Sequence, residues 1–185
     1  MSKHGPEYAR QRNEKYFTPA WVTEALLDRE QFYGPIIDPA AGAGHILNVL
    51  QAKGYKGCFG SDIEPDAPGI ILADFFAFED ADNIVTNPPF GHGGRLAMKF
   101  IEMALALTKS NGGKVAMLLP LTFDAGKTRQ HVFGNCPQFA GKYVLTQRIR
   151  WANLEQKAAG PMENHCWAVW DWRKNPAADP FLRYI

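Results

Sequence analysis

The feature that most constrains this chain is a series of short, near-continuous apolar runs, each closed by turn residues and separated from the next by a stretch with helical spacing. The runs are PIID (35–38), CFGSDI (58–63), GIILAD (69–74), NIVT (83–86) and KVAMLLP (114–120). A strand that is apolar along its whole length must be covered on both faces, which a parallel sheet between two layers of helices provides. The intervening segments fit that plan. Thr18-Pro19 reads as an N-cap and first-turn pair, with Trp21, Ala25 and Leu26 following on one face. Leu96, Phe100, Ile101, Ala104 and Leu105 repeat at helical spacing before the stop Ser110-Asn111-Gly112-Gly113. After residue 140 the pattern changes: 143–151 and 164–172 read as two long aromatic-rich strands of an antiparallel hairpin joined by EQKAAGPME. The expected architecture is α/β, with about seven strands, mostly parallel, a C-terminal antiparallel hairpin and helices on both faces.

A length of 185 residues, 46% apolar and 21% charged, suits a single domain over 1–185, preceded by a polar arm at 1–15. No apolar run is long enough to span a bilayer, and the opening MSKHGPEYARQRNEKYF is polar, so no membrane partner and a cytoplasmic location are expected. Cys58, Cys136 and Cys166 are odd in number and widely spaced, which suits reduced, buried thiols and no metal site. Charge is uneven: residues 1–90 carry 7 Lys/Arg against 13 Asp/Glu, and residues 91–185 carry 13 against 6. An acidic half beside a basic half suits two ligands of opposite character, one hydroxyl-rich or cationic and one a polyanion.

Chemistry-bearing residues gather where strands end. DPAAGAGH (38–45) follows the first strand and opens a helix, so its glycines let the backbone pass close to a ligand at the carboxyl edge of the sheet. The absence of a Lys-Ser/Thr pair after it argues against a nucleoside-triphosphate loop. Asp62 stands 24 residues after Asp38, and Asp74 stands 12 further on. An acid after the second strand suits ribose hydroxyls, and Asp74 with Phe75 suits the amine and edge of an adenine. VTNPPFG (85–91) runs an apolar strand into two prolines that cannot extend the ladder, so the chain leaves the sheet stiffly. That stiffness fixes the Asn87 amide, the Pro88 carbonyl and the Phe90 ring relative to one another, with Gly91 allowing close approach: a clamp for a planar amine. His45 and His92 are read as loop histidines outside the catalytic set.

The order YFTP, DPAAGAGH, GSDIEP, ADFF, NPPFG resembles the S-adenosylmethionine-dependent amino-methyltransferases, especially the DNA adenine-N6 enzymes. The resemblance covers residues 16–120 closely and the hairpin more loosely, and it implies a Rossmann-like methyltransferase sheet. On that likeness, Tyr16, Phe17, Thr18 and Pro19 would touch the methionine part of S-adenosylmethionine. Asp38, Ala40, Gly42 and Gly44 would line its loop, Asp62 and Ile63 would meet its ribose and adenine, and Asp74 and Phe75 would complete the adenine pocket. Asn87, Pro88, Pro89 and Phe90 would be catalytic and hold the target base.

The implied reaction is methyl transfer to adenine N6 in DNA. The rival readings are methylation of RNA at guanine N2 or adenine N6, methylation of a protein glutamine amide, and a non-catalytic subunit binding cofactor or nucleic acid. The glutamine enzymes carry a helical N-terminal domain, for which fifteen residues before Tyr16 leave no room. Lys127, Arg129, Lys142, Arg148 and Arg150 favour a phosphate backbone, and Trp151 is the candidate second aromatic face for a flipped base. The resembled enzymes commonly add a target-recognition domain, whereas thirteen residues follow position 172 here. Target recognition is therefore expected from residues 121–165 or from a protein partner, or to be loose.

Overall fold

Among the described residues eight strands order into one sheet, buried on both faces along 36–38, 83–86 and 115–119, whereas the run at 69–74 is not covered as expected: Ile71 and Leu72 are 50% and 73% exposed. The computed structural model describes residues 17–151 and 163–185. Its strands are β1 (Ile36–Asp38), β2 (Phe59–Asp62), β3 (Ile71–Leu72), β4 (Asn83–Thr86), β5 (Lys114–Pro120), β6 (Phe139–Val144), β7 (His165–Asp171) and β8 (Phe181–Tyr184). Its α-helices are α1 (Ala20–Leu27), α2 (His45–Ala52) and α3 (Arg95–Thr108). The strand order is β3-β2-β1-β4-β5-β7-β6-β8. Every neighbouring pair is parallel except those made by β7, which runs against both β5 and β6.

The sheet divides the core in two. Val115, Met117 and Leu119 of β5 face a layer built with Phe100, Ile101, Ala104 and Leu107 of α3. Ala116 and Leu118 face the other layer, with Val22 and Leu26 of α1 and Ile46 and Leu50 of α2. Successive strand side chains point to opposite faces, so covering both faces requires an unbroken apolar run, which 114–120 supplies. The two tryptophans of β7 divide in the same way, and both are fully buried. Trp167 donates its indole N–H to the Val22 carbonyl at 2.8 Å, and Trp170 donates to Val132 at 2.6 Å. Each ring thus contributes apolar area without an unmet donor.

The C-terminal part differs from expectation in its boundaries. The β6–β7 pairing is antiparallel, but β6 occupies 139–144 and not 143–151, with its register shifting between Phe139 and Gly141. The ladder stops at Val144 opposite Cys166; beyond it, Thr146 donates its N–H to the Ile185 carbonyl. An eighth strand, β8, lies parallel to β6 at the sheet edge. Thr18 is not the N-cap of α1: Pro19 holds that position, and no side chain caps the helix. Of the three cysteines only Cys166 is fully buried. Tyr16, the arm at 1–15 and residues 152–162 of the hairpin connection lie outside the described residues. Among the described residues no helix is long and apolar enough to cross a membrane, and no group of three His, Cys, Asp or Glu side chains is placed to hold a metal ion.

Candidate active site at the carboxyl edge of the sheet

Parallel strands bring the ends of β1, β2, β4 and β5 to one edge. Because β7 is reversed, its first residue, His165, joins them opposite Pro120. At the end of β1, Asp38 is 1% exposed. Its Oδ1 accepts from the Thr86 hydroxyl at 2.7 Å and from the Ala40 N–H at 3.3 Å, tying β1 to β4 and to the start of the glycine loop. Burial pushes the Asp38 carboxyl up to about 7; the two hydrogen bonds oppose that rise, and the charge of Asp62 adds to it. Asp38 therefore lies beneath the loop and not at its surface.

The loop is held from β2. Gly42 donates its N–H to Asp62 Oδ2 at 2.8 Å, and Asp62 Oδ1 accepts from the Glu64 N–H at 2.9 Å. Gly42 and Gly44 have φ of 51° and 78°, a conformation that costs other residues about 1–2 kcal/mol. A β-carbon on Gly42 would meet Asp66 Oδ2 at 3.9 Å, an ordinary van der Waals contact, so only the Asp66 side chain stands over that backbone. Ile63 stands beside Asp62, 59% exposed. After β3, Asp74 is exposed and its Oδ1 accepts from the Phe76 N–H at 2.9 Å, capping a short 3-10 turn over Phe75–Ala77. That turn sends Phe75 inward, 2% exposed and with its ring 4.8 Å from that of Phe100, and Phe76 outward. The ring open to a ligand at this strand end is thus Phe76, which sequence reasoning missed because ADFF does not say which phenylalanine the turn will bury.

The NPPF segment leaves β4 beside the loop. Asn87 donates its Nδ2 to the hydroxyl of Thr18 at 3.2 Å, and Thr18 is 4% exposed. With Nδ2 engaged, the amide presents its acceptor, Oδ1, away from Thr18. Phe17 lies with its ring 4.8 Å from His45, the first residue of α2. The FTP segment therefore bridges the end of the glycine loop and the NPPF segment. Phe90 is half-buried; its carbonyl accepts from the N–H groups of Leu96 at 3.1 Å and Ala97 at 3.5 Å, and its ring meets Phe123 edge-on at 6.2 Å.

The basic residues separate into two kinds. Lys127, Arg148 and Arg150 are exposed, with Arg148 Nε donating to Asn164 Oδ1 at 2.9 Å. Lys142 and Arg129 are engaged internally. Lys142 Nζ reaches Asp124 Oδ2 at 2.7 Å and the Leu121 carbonyl at 3.3 Å. Arg129 donates to the carbonyls of Phe123 at 2.6 Å and Gly93 at 3.0 Å. Trp151 is half-buried and packs edge-on to His165 at 5.3 Å, so it belongs to the rim without standing clear of it. Burial holds the His165 imidazole below its usual pKa. A separate concavity between α1 and α2, lined by Ala20, Glu24, His45, Asn48 and Val49, offers helix-face groups and none of the strand-end acids.

No family model matches the sequence, and no curated protein matches it. Solved structures do. A candidate class I S-adenosylmethionine-dependent methyltransferase from Listeria monocytogenes aligns with a TM-score of 0.61 at 16% identity, over 90% of this chain and 62% of its own. A candidate RNA methyltransferase from Pyrococcus horikoshii aligns at 0.62 and 17%, over 85% of each chain. The modification subunit of a candidate type I restriction enzyme from Vibrio vulnificus aligns at 0.62 and 15%, over 88% of this chain and 45% of its own. The chain thus spans less than two thirds of the Listeria and Vibrio proteins. With its mostly parallel sheet, reversed β7 and glycine loop after β1, the chain has the Rossmann-like fold of the S-adenosylmethionine-dependent methyltransferases.

Proposed function

We propose that the protein transfers a methyl group from S-adenosylmethionine to the exocyclic N6 amine of adenine in DNA. The observation that carries this reading is the Asn87 amide, anchored through Nδ2 on Thr18 so that Oδ1 is left as its acceptor, three residues before Phe90 and at the sheet edge that also carries the glycine loop. The residues fit the cofactor. Gly42 has no side chain and only Asp66 Oδ2 near it, the half-exposed Asp62 carboxylate suits ribose hydroxyls, and Ile63 with Phe76 offers apolar surface to an adenine whose amine Asp74 would accept. Phe17, Thr18 and Pro19, with Tyr16 before them, would hold the methionine part. Asp38 would act by fixing Ala40, and Phe75 by backing Asp74. When bound, S-adenosylmethionine supplies an electrophilic methyl group.

The protein's own part is to make a poor nucleophile adequate. The adenine amine has its lone pair delocalised into the ring. Accepting its two N–H hydrogens on Asn87 Oδ1 and the Pro88 carbonyl favours a pyramidal nitrogen with that lone pair directed outward. Phe90 stacks on the base, and Pro89 keeps the segment extended. Lys127, Arg148 and Arg150, exposed on their segments, serve as phosphate contacts, with Trp151 at the rim. A protein partner would supply target selection if these contacts prove indifferent to sequence. RNA is the second reading, favoured by the Pyrococcus protein, which this chain matches over 85% of both lengths. Incubation with methyl-labelled S-adenosylmethionine and separate DNA, RNA and protein pools, followed by nucleoside mass spectrometry, tests the proposal. N6-methyladenine in DNA supports it, label confined to RNA replaces it with the second reading, and absence of label from all pools refutes it.

A further inference from the structure

Arg129 reads in sequence as a phosphate contact, but its surroundings give it another task. Its guanidinium lies 3.8 Å from the centre of the Phe123 ring, and its two terminal nitrogens donate to the carbonyls of Phe123 and Gly93. Phe123 in turn packs edge-on against Phe90. The segment that follows Phe90 is held by backbone bonds and not by side chains of its glycines: Gly91, Gly93 and Gly94 have positive φ, at 62°, 63° and 76°, and Gly94 donates its N–H to the Gly91 carbonyl at 3.4 Å. It is also fitted closely: a β-carbon on Gly94 would stand 2.7 Å from Phe123 Cε2 and 3.0 Å from Arg129 Nη2.

We infer that Arg129 is a positioning residue for Phe90, clamping the glycine segment 91–94 onto Phe123 so that the stacking ring keeps one place, an inference that rests on the methyl-transfer reading above. Only arginine combines a planar face for the ring with a fork that reaches two carbonyls; lysine keeps the charge and loses both. A phosphate anchor would behave in the opposite way, because lysine serves a phosphate nearly as well.

The test uses the full chain, methyl-labelled S-adenosylmethionine and a random-sequence DNA duplex pool, with the RNA pool in its place if label goes there. Arg129→Lys and Arg129→Met are both expected to lower kcat and raise KM for the nucleic acid, lowering kcat/KM about tenfold or more, on the scale of one lost cation–π contact and two hydrogen bonds. Cofactor affinity by calorimetry should stay at the parental value. Adding Arg129→Lys to Phe90→Ala should cost nothing further, and the salt dependence of binding should be the same for Arg129→Met as for the parent. The inference is overturned if Arg129→Lys behaves as the parent, if the effects multiply with Phe90→Ala, or if Arg129→Met lowers the salt slope by about one, as loss of a phosphate contact would. Parental rates in Asn87→Ala would instead overturn the underlying reading, whatever Arg129 does.

Discussion

Replacing Asp38 by asparagine tests how the strand-end acid works. Asp38 is buried, and its carboxyl is raised from 3.8 to about 7. An acid whose folded pKa is raised binds its proton more tightly in the folded state. Its contribution to stability is therefore full below pH 3.8 and is lost as pH rises through about 7. Each unit corresponds to about 1.4 kcal/mol, so between pH 5 and pH 8 the parent should lose about 3 kcal/mol on this account alone. The asparagine cannot ionise, and its Oδ1 can still accept from Thr86 and Ala40. Its Nδ2 brings a buried donor whose unmet bond costs about 1–3 kcal/mol at every pH. The stability of Asp38→Asn relative to the parent should thus rise by about 3 kcal/mol from pH 5 to pH 8. Urea unfolding at a series of pH values measures this difference directly. Parallel curves for the two proteins would refute the reasoning and mean that Asp38 is ionised and well solvated in the folded state.

Thr18→Val should free the Asn87 amide to turn over and lower the transfer rate about five- to tenfold, on the scale of one hydrogen bond, while Thr18→Ser restores it; single-turnover methylation of the pair checks this. Asp62→Ala removes the acceptor of two loop N–H groups as well as the proposed ribose contact, so calorimetry should show S-adenosylmethionine affinity reduced at least about tenfold. Gly94→Ala must place a β-carbon 2.7 Å from Phe123 at φ +76° and should lower stability by about 1–3 kcal/mol, read as a fall in Tm.

Most of the parallel half of the fold was legible because β1, β4 and β5 are apolar on both faces, a pattern that a covered sheet explains; β3 departs from it, since as the edge strand it leaves Ile71 and Leu72 exposed. The strand order brings the glycine loop, Asp62 and Asn87 to one edge, as their positions at successive strand ends led one to expect. What escaped was decided by tertiary contacts. FLRY (181–184) is too short and too exposed to announce a strand; it becomes one by lying beside β6. The strand expected over 143–151 starts earlier because Phe139 packs into the α3 layer, and it ends at Val144 where its ladder with β7 ends. Phe75 and Phe76 look alike in sequence, and the cap on Asp74 decides which one faces out. Arg129 and Lys142 have the composition of a phosphate surface, yet carbonyls and Asp124 satisfy them from within. Thr18 signals a helix cap by type, and its hydroxyl serves Asn87 instead.

The most direct test of the account is single-turnover methylation by Asn87→Ala with saturating S-adenosylmethionine and nucleic acid. The substitution keeps both prolines, the strand and the glycine loop, and removes one acceptor that acts mainly as the amine becomes pyramidal. Cofactor affinity should remain at the parental value, while the rate of transfer falls about 100-fold to 1,000-fold. An Asn87→Ala protein that transfers methyl groups as fast as the parent would contradict the account and leave NPPF as a stiff turn at the end of β4.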